Sequence, residues 1–196
     1  MKYLKIAKSK INIFVVIMSL IIFILGMIIM RQSANRVSEY AGGETILDLR
    51  MGYSEKSAKQ YLEQLGKKGR EEYYNNFYKV DLFYPLTYTL FYFCAIAILL
   101  KKCCKEKNKL DFLLLLPIFG LIFDWGENLF IRSLINQFPD ISQVICQTSS
   151  IFTMLKFIFV YSSLLSIVCL KALITIKQTC KLVVAIKKKR TNKNSK

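Results

Sequence analysis

The sequence predicts an all-α membrane protein: a four-helix transmembrane bundle with a helical extracytoplasmic segment between spans 1 and 2. Three observations carry that prediction. Of 196 residues, 54% are hydrophobic and the mean hydropathy is +0.34, more apolar than an ordinary soluble domain. Four apolar runs approach the roughly 20 helical residues needed to cross a hydrocarbon core about 30 Å thick. The 29 Lys+Arg against 13 Asp+Glu, net +16, gather between those runs. This composition excludes a disordered chain and a soluble single core. Histidine is absent, which removes the usual general base, the commonest zinc ligand and the usual haem ligand.

Residues 1–10 form a basic N-terminus with Lys2, Lys5, Lys8 and Lys10. The uncharged run 11–30 that follows is longer than a signal-peptide core of about 7 to 15 residues, and Arg31-Gln32-Ser33-Ala34 is a poor cleavage site. It is read as an uncleaved first span. Along it Asn12, Ser19, Gly26 and Ser33 recur every seven residues, a narrow face suited to close helix packing.

Residues 31–81 are the one sizeable piece outside the predicted bilayer. Gly42 and Gly43 mark a turn. Ser54 then precedes a helix pattern of Ala58, Tyr61, Leu62 and Leu65, closed by Gly66, which reads as an N-capped amphipathic helix with a glycine stop. Tyr73, Tyr74, Phe77, Tyr78, Phe83, Tyr84 and Tyr88 suggest an interfacial aromatic belt leading into the second span. The segment is expected to cap the bundle, either as a plain shield or as a lid over a ligand.

Residues 82–100 form span 2, 101–109 a basic loop, 110–131 span 3, 132–148 a short loop, 149–170 span 4 and 171–196 a basic tail. Pro85 and Pro117 are tolerable early in or within spans, Pro117 with an expected kink before the acidic cluster. The first ten residues, the 101–109 loop and the tail from Lys177 hold 17 of the 29 basic residues. The positive-inside rule therefore puts both termini in the cytoplasm, and the plasma membrane is the expected location. These lysines sit where topology and anionic lipid require them, so no nucleic acid is invoked.

Six cysteines form no C-x-x-C pair and no disulfide framework, because Cys146 alone falls outside. Cys103 and Cys104 at a membrane edge are read as unmodified thiols in preference to palmitoylation sites.

Claudin-like proteins share the layout of a large first and small second outer loop, but residues 31–80 have neither the Trp nor the Cys pair of that family. Tetraspanins carry their large loop second. The run Ile46-Leu47-Asp48-Leu49-Arg50-Met51-Gly52-Tyr53-Ser54, then Leu65, Gly66, Gly69, Arg70, Asp81, Pro85, Tyr88, Asp124, Glu127, Asn128 and Lys156, resembles a group of small four-span integral membrane proteins. That resemblance spans residues 46–156 and implies the fold, with no activity attached.

Chemistry is concentrated in span 3. Asp124, Glu127 and Asn128 lie at i, i+3 and i+4, on one helix face. Ionisable groups within spans cost roughly 3 kcal/mol each and face a partner or a wet cavity. Lys156 is the one basic residue near the middle of a span. Counting 1.5 Å per residue from each span's midpoint puts Asp124 and Lys156 both about 5 Å toward the outside, so they are the expected pair. Tyr88 falls at that level and Tyr84 near Glu127. The ligand-pocket candidates are therefore Asp124, Glu127, Asn128, Lys156, Tyr84 and Tyr88. Arg132 is expected to snorkel to the interface, or to fold back toward Glu127 and Asn128.

With no phosphate loop, metal-ligand cluster or nucleophile-with-base arrangement, the reading leans away from an enzyme and expects no cofactor and no metal. Three functions remain: binding of a small or lipidic ligand in the charged pocket, a scaffold whose ion pair fixes helix packing, and an oligomeric small transporter or proton-coupled carrier. The expected partners are the bilayer, a lipid or small molecule, and a second copy or a membrane protein.

Overall fold

In the computed structural model the described residues are 2–103 and 110–194, and all regular structure among them is helical. Cys104 and the lysines at 105, 107 and 109 lie outside the described residues, as do the side chains of Phe77 and Tyr78. The stretches Ile13–Glu39, Gly66–Cys103, Asp111–Gln137 and Gln143–Val183 are long and apolar enough to cross a membrane.

A short helix α1 (Lys2–Lys10) precedes α2 (Ile13–Glu39). Asn12 caps α2, accepting from the Val15 amide at 3.0 Å. It therefore serves the helix start rather than the packing stripe. Ser19 and Ser33 are buried, and a Cβ at Gly26 would lie 2.8 Å from Thr87 Oγ1, so the stripe lets α2 pack against α5. After α2 the chain turns through Gly42 and Gly43, both at positive φ, which glycine adopts without a Cβ penalty.

A single 3₁₀ turn, Leu47–Leu49, leads to α3 (Glu55–Gln64) and α4 (Gly66–Asn76). Ser54 caps α3 through a reciprocal box with Ser57, satisfying amides at the helix start that would otherwise lack partners. Ala58, Tyr61, Leu62 and Leu65 are all buried. A π-helical turn, Phe77–Asp81, joins α4 to α5 (Tyr84–Cys103). Pro85 falls in the first turn of α5, where its missing N–H breaks no helix bond.

Span 3 opens with a 3₁₀ stretch, Asp111–Leu115, before α6 (Leu116–Gln137). The expected Pro117 kink is replaced by this junction: Pro117 stands in the first turn of α6, and the Thr89 hydroxyl donates to its carbonyl at 3.2 Å. The last helix, α7 (Gln143–Asn194), runs for 52 residues, about 78 Å at 1.5 Å each. No Gly or Pro occurs after Pro139, so nothing in the backbone chemistry stops it.

Helix α2 packs along α5, α5 also contacts α6 and α7, and α6 and α7 form the most extensive pair. Aromatic rings interlock in that last seam: Phe152 stands edge-on to Phe123 and Phe130 at 5.3 and 5.1 Å, and Phe123 stacks on Phe159 at 5.4 Å. Two apolar clusters hold the ends. One joins Met30, Val37, Ile46, Leu47, Leu62, Leu134 and Cys146 at the end capped by residues 40–81. The other joins Ile11, Cys94, Ile96, Leu100, Leu114 and Leu170 at the end carrying both termini. Near that second cluster Lys8 and Asp111 form a buried ion pair at 2.8 Å. Cys94, Cys103, Cys146, Cys169 and Cys180 are free thiols.

Candidate functional site

A polar layer lies toward the capped end of the bundle. Its centre is Lys156 on α7, 6% exposed. The ammonium meets Glu127 Oε2 of α6 at 2.6 Å and donates to the backbone carbonyl of Asp48 at 2.7 Å. The other Glu127 oxygen accepts from the Thr153 hydroxyl at 2.6 Å.

The expected partner of Lys156 was Asp124; the ion pair is made by Glu127 instead. Helices α6 and α7 pack tightly at Gly126, where a Cβ would lie 2.5 Å from Cε1 of Phe152. That contact brings the next residue, Glu127, against Thr153 and Lys156, and its extra methylene supplies reach. Asp124 is committed elsewhere: its carboxylate accepts from Tyr88 Oη at 3.0 Å and from Asn128 Nδ2 at 2.9 Å.

Two acids and one base were anticipated; the layer holds four carboxyls. Asp48 of the 3₁₀ turn accepts from Tyr73 Oη at 2.8 Å, while that hydroxyl accepts from the Leu47 amide at 3.1 Å. Asp81 accepts from Asn76 Nδ2 at 3.0 Å, and Ser33 donates to the other side of the same amide. Asp48, Asp81, Asp124 and Glu127 are all at least nine-tenths buried. Asp48, Asp81, Asn76 and Tyr73 were missed as site residues because their segment looks like an interfacial loop. Tyr73 and Tyr88 are therefore buried hydrogen-bond donors and no part of an aromatic belt, whereas Phe83 is 58% exposed. The available signal was an acid set among apolar neighbours, in Ile46-Leu47-Asp48-Leu49 and in Val80-Asp81-Leu82-Phe83.

A cavity of about 110 Å³ opens in this layer, with Asp48, Asp81, Asp124 and Lys156 in its walls. Phe23 and Met30 of α2 flank it on one side and Phe157 and Val160 of α7 on the other, with Tyr84, Tyr88 and Tyr92 of α5 completing the wall. Of the six sequence candidates, Asp124, Lys156, Tyr84 and Tyr88 line the cavity. Glu127 and Asn128 stand behind it, each bonded to a lining residue. Arg132 stacks over the Tyr74 ring at 4.2 Å.

The capping segment is tied into the layer. Tyr53 donates from its hydroxyl to Ser149 Oγ at 2.7 Å and from its amide to Ser150 Oγ at 3.0 Å. Burial, reinforced by the nearby Glu127 charge, pushes the Tyr53 phenol far above its ordinary range, so it remains a donor at any physiological pH.

No protein-family model matches this chain, and no curated protein or solved structure matches it either. The fold and site together define a class rather than a family: an all-helical chain with four potential membrane spans and a buried, acid-rich polar layer.

Proposed function

We propose that the protein is a multi-pass plasma-membrane protein, both termini cytoplasmic, that binds a small or lipid-like ligand with a positively charged head in the cavity between α2 and α7. One observation carries the reading: the cavity wall holds three carboxyl groups, Asp48, Asp81 and Asp124, beside one ammonium, and that ammonium is already matched by Glu127. A cation entering the cavity would pair with the ionised form of these carboxyls in a low-dielectric setting, where such attraction is strong. The rings of Phe23, Tyr84, Tyr88, Tyr92 and Phe157 suit an alkylammonium group, which aromatic faces attract. Among the described residues no three Cys, Asp or Glu side chains are grouped to hold a metal ion, which favours an organic cation. Helices α2 and α7 flank the cavity without forming an extensive pair, so an apolar tail has sideways access from lipid.

The test is melting of the purified protein with dodecyltrimethylammonium, dodecyl sulfate or an uncharged detergent of equal chain length. Selective stabilisation by the ammonium, lost in Asp81→Asn, supports the reading. Equal responses to all three would falsify it.

A structural reading is favoured by one contact, the Lys156 bond to the Asp48 carbonyl, which pins the capping segment to the bundle. On that reading the layer serves packing alone, and the ammonium probe has no effect at any concentration below general denaturation.

A further inference from the structure

A second concave feature lies at the opposite end of the bundle, where the last turn of α5 meets α7. It is a groove of about 580 Å³ lined by Lys101, Lys102, Lys177 and Lys181, with Cys103, Gln178 and Ile174 between them. No carboxylate contributes to its wall among the described residues. We propose that this groove binds a phosphate group, supplied either by an anionic lipid headgroup or by a soluble phosphate compound.

The geometry distinguishes it from a general basic surface. Two of the lysines are held in place by backbone: Lys101 donates to the carbonyls of Ser9 and Ile11 at 2.7 and 2.5 Å, and Lys177 donates to the Cys103 carbonyl at 3.1 Å. These contacts tie α1, α5 and α7 together and fix two positive charges on either side of the groove. Lys102 and Lys181 have no acid partner among the described residues. Lys177 and Lys181 stand four residues apart on one helix face, where like charges repel. An anion between the two helices relieves that repulsion. A phosphate is the fitting anion, since its several acceptor oxygens take charge-assisted hydrogen bonds from donors on different sides. The C-terminal end of α5 is itself unfavourable to an anion, so the lysines alone must supply the attraction. Ile174, 9% exposed, gives the groove an apolar floor. A lipid bound by its phosphate would have a place to lay its first methylenes. Basic recesses between helices at a membrane edge are suited to such headgroups.

The experiment uses the full chain and does not depend on the cavity at the other end. Lys102→Gln/Lys181→Gln removes two groove charges whose side chains make no hydrogen bond or ion pair among the described residues, and Lys188→Gln/Lys189→Gln removes two from the tail as a charge-matched control. Native mass spectrometry of protein released from phosphatidylcholine nanodiscs containing phosphatidylglycerol measures retained anionic lipid. Melting in micelles with added inorganic phosphate measures the soluble source.

The expected result is phosphatidylglycerol retained by wild type and the tail variant, and reduced about tenfold in the groove variant, as two lysines at a charged surface allow. A phosphate-induced rise in melting temperature that disappears only in the groove variant also supports the site, with a soluble ligand. Equal losses in groove and tail variants, or neither lipid retention nor a phosphate response in wild type, overturn it.

Discussion

Lys156 of α7 is bound by Glu127 of α6 at 2.6 Å, one helical turn beyond Asp124, the acid that residue counting pairs with it. The distinction has energetic weight, because Glu127 is fully buried and Lys156 nearly so. Removing one member of such a pair leaves an uncompensated charge, at a cost of about 3 to 5 kcal/mol.

A double-mutant cycle on Glu127→Gln and Lys156→Met should therefore show each single change destabilising by roughly that amount, with much of the loss recovered in the double variant. Denaturant titration in mixed micelles measures it. A larger coupling between Asp124→Asn and Lys156→Met would reassign the pair to Asp124.

Gly126→Ala should separate α6 from α7. The added Cβ would lie 2.5 Å from Cε1 of Phe152, and that ring cannot swing freely, being set between Phe123 and Phe130. Overpacking of this kind costs about 1 to 3 kcal/mol. Pairing it with Phe152→Leu should restore most of the stability; an unaffected single variant would mean that the seam is looser than described.

Tyr73→Phe takes the donor from Asp48 and the acceptor from the Leu47 amide. Each buried group left unsatisfied costs about 1 to 3 kcal/mol. The expected effect is local: faster amide hydrogen exchange across residues 45–50, with little change in α6. Uniform exchange rates in the variant and the wild type would show that the turn is held by other contacts.

The proposed orientation is open to labelling with a membrane-impermeant maleimide. Cys146 is wholly buried and should stay silent in the folded protein. Lys67→Cys, at an exposed position on α4, should label in intact cells, and exposed Cys180 only after permeabilisation. The reverse pattern would invert the topology.

Much of the local structure was legible in the chain. The Ser54 cap and the Ala58, Tyr61, Leu62 and Leu65 stripe specify α3 because they follow from neighbour spacing alone. The same is true of the glycine turn after α2 and of Asp124, Glu127 and Asn128 sharing a face. The great length of α7 was also present in the sequence, as the lack of any Gly or Pro after Pro139, although a hydropathy reading ends that helix where apolarity ends.

Pairings between elements were a different matter. Hydropathy and helical spacing determined by themselves that four long apolar helices form and that one carries acids on a single face, since both are properties of residues close in sequence. Which acid meets Lys156 depends on how α6 and α7 pack, with the Phe152 ring of one helix set against Gly126 of the other. The entry of Asp48 and Asp81 into the polar layer depends on how the capping segment folds back over the bundle. Contacts between residues 108 positions apart, such as the Lys156 bond to the Asp48 carbonyl, leave no periodic trace in a sequence, and only tertiary packing decides them.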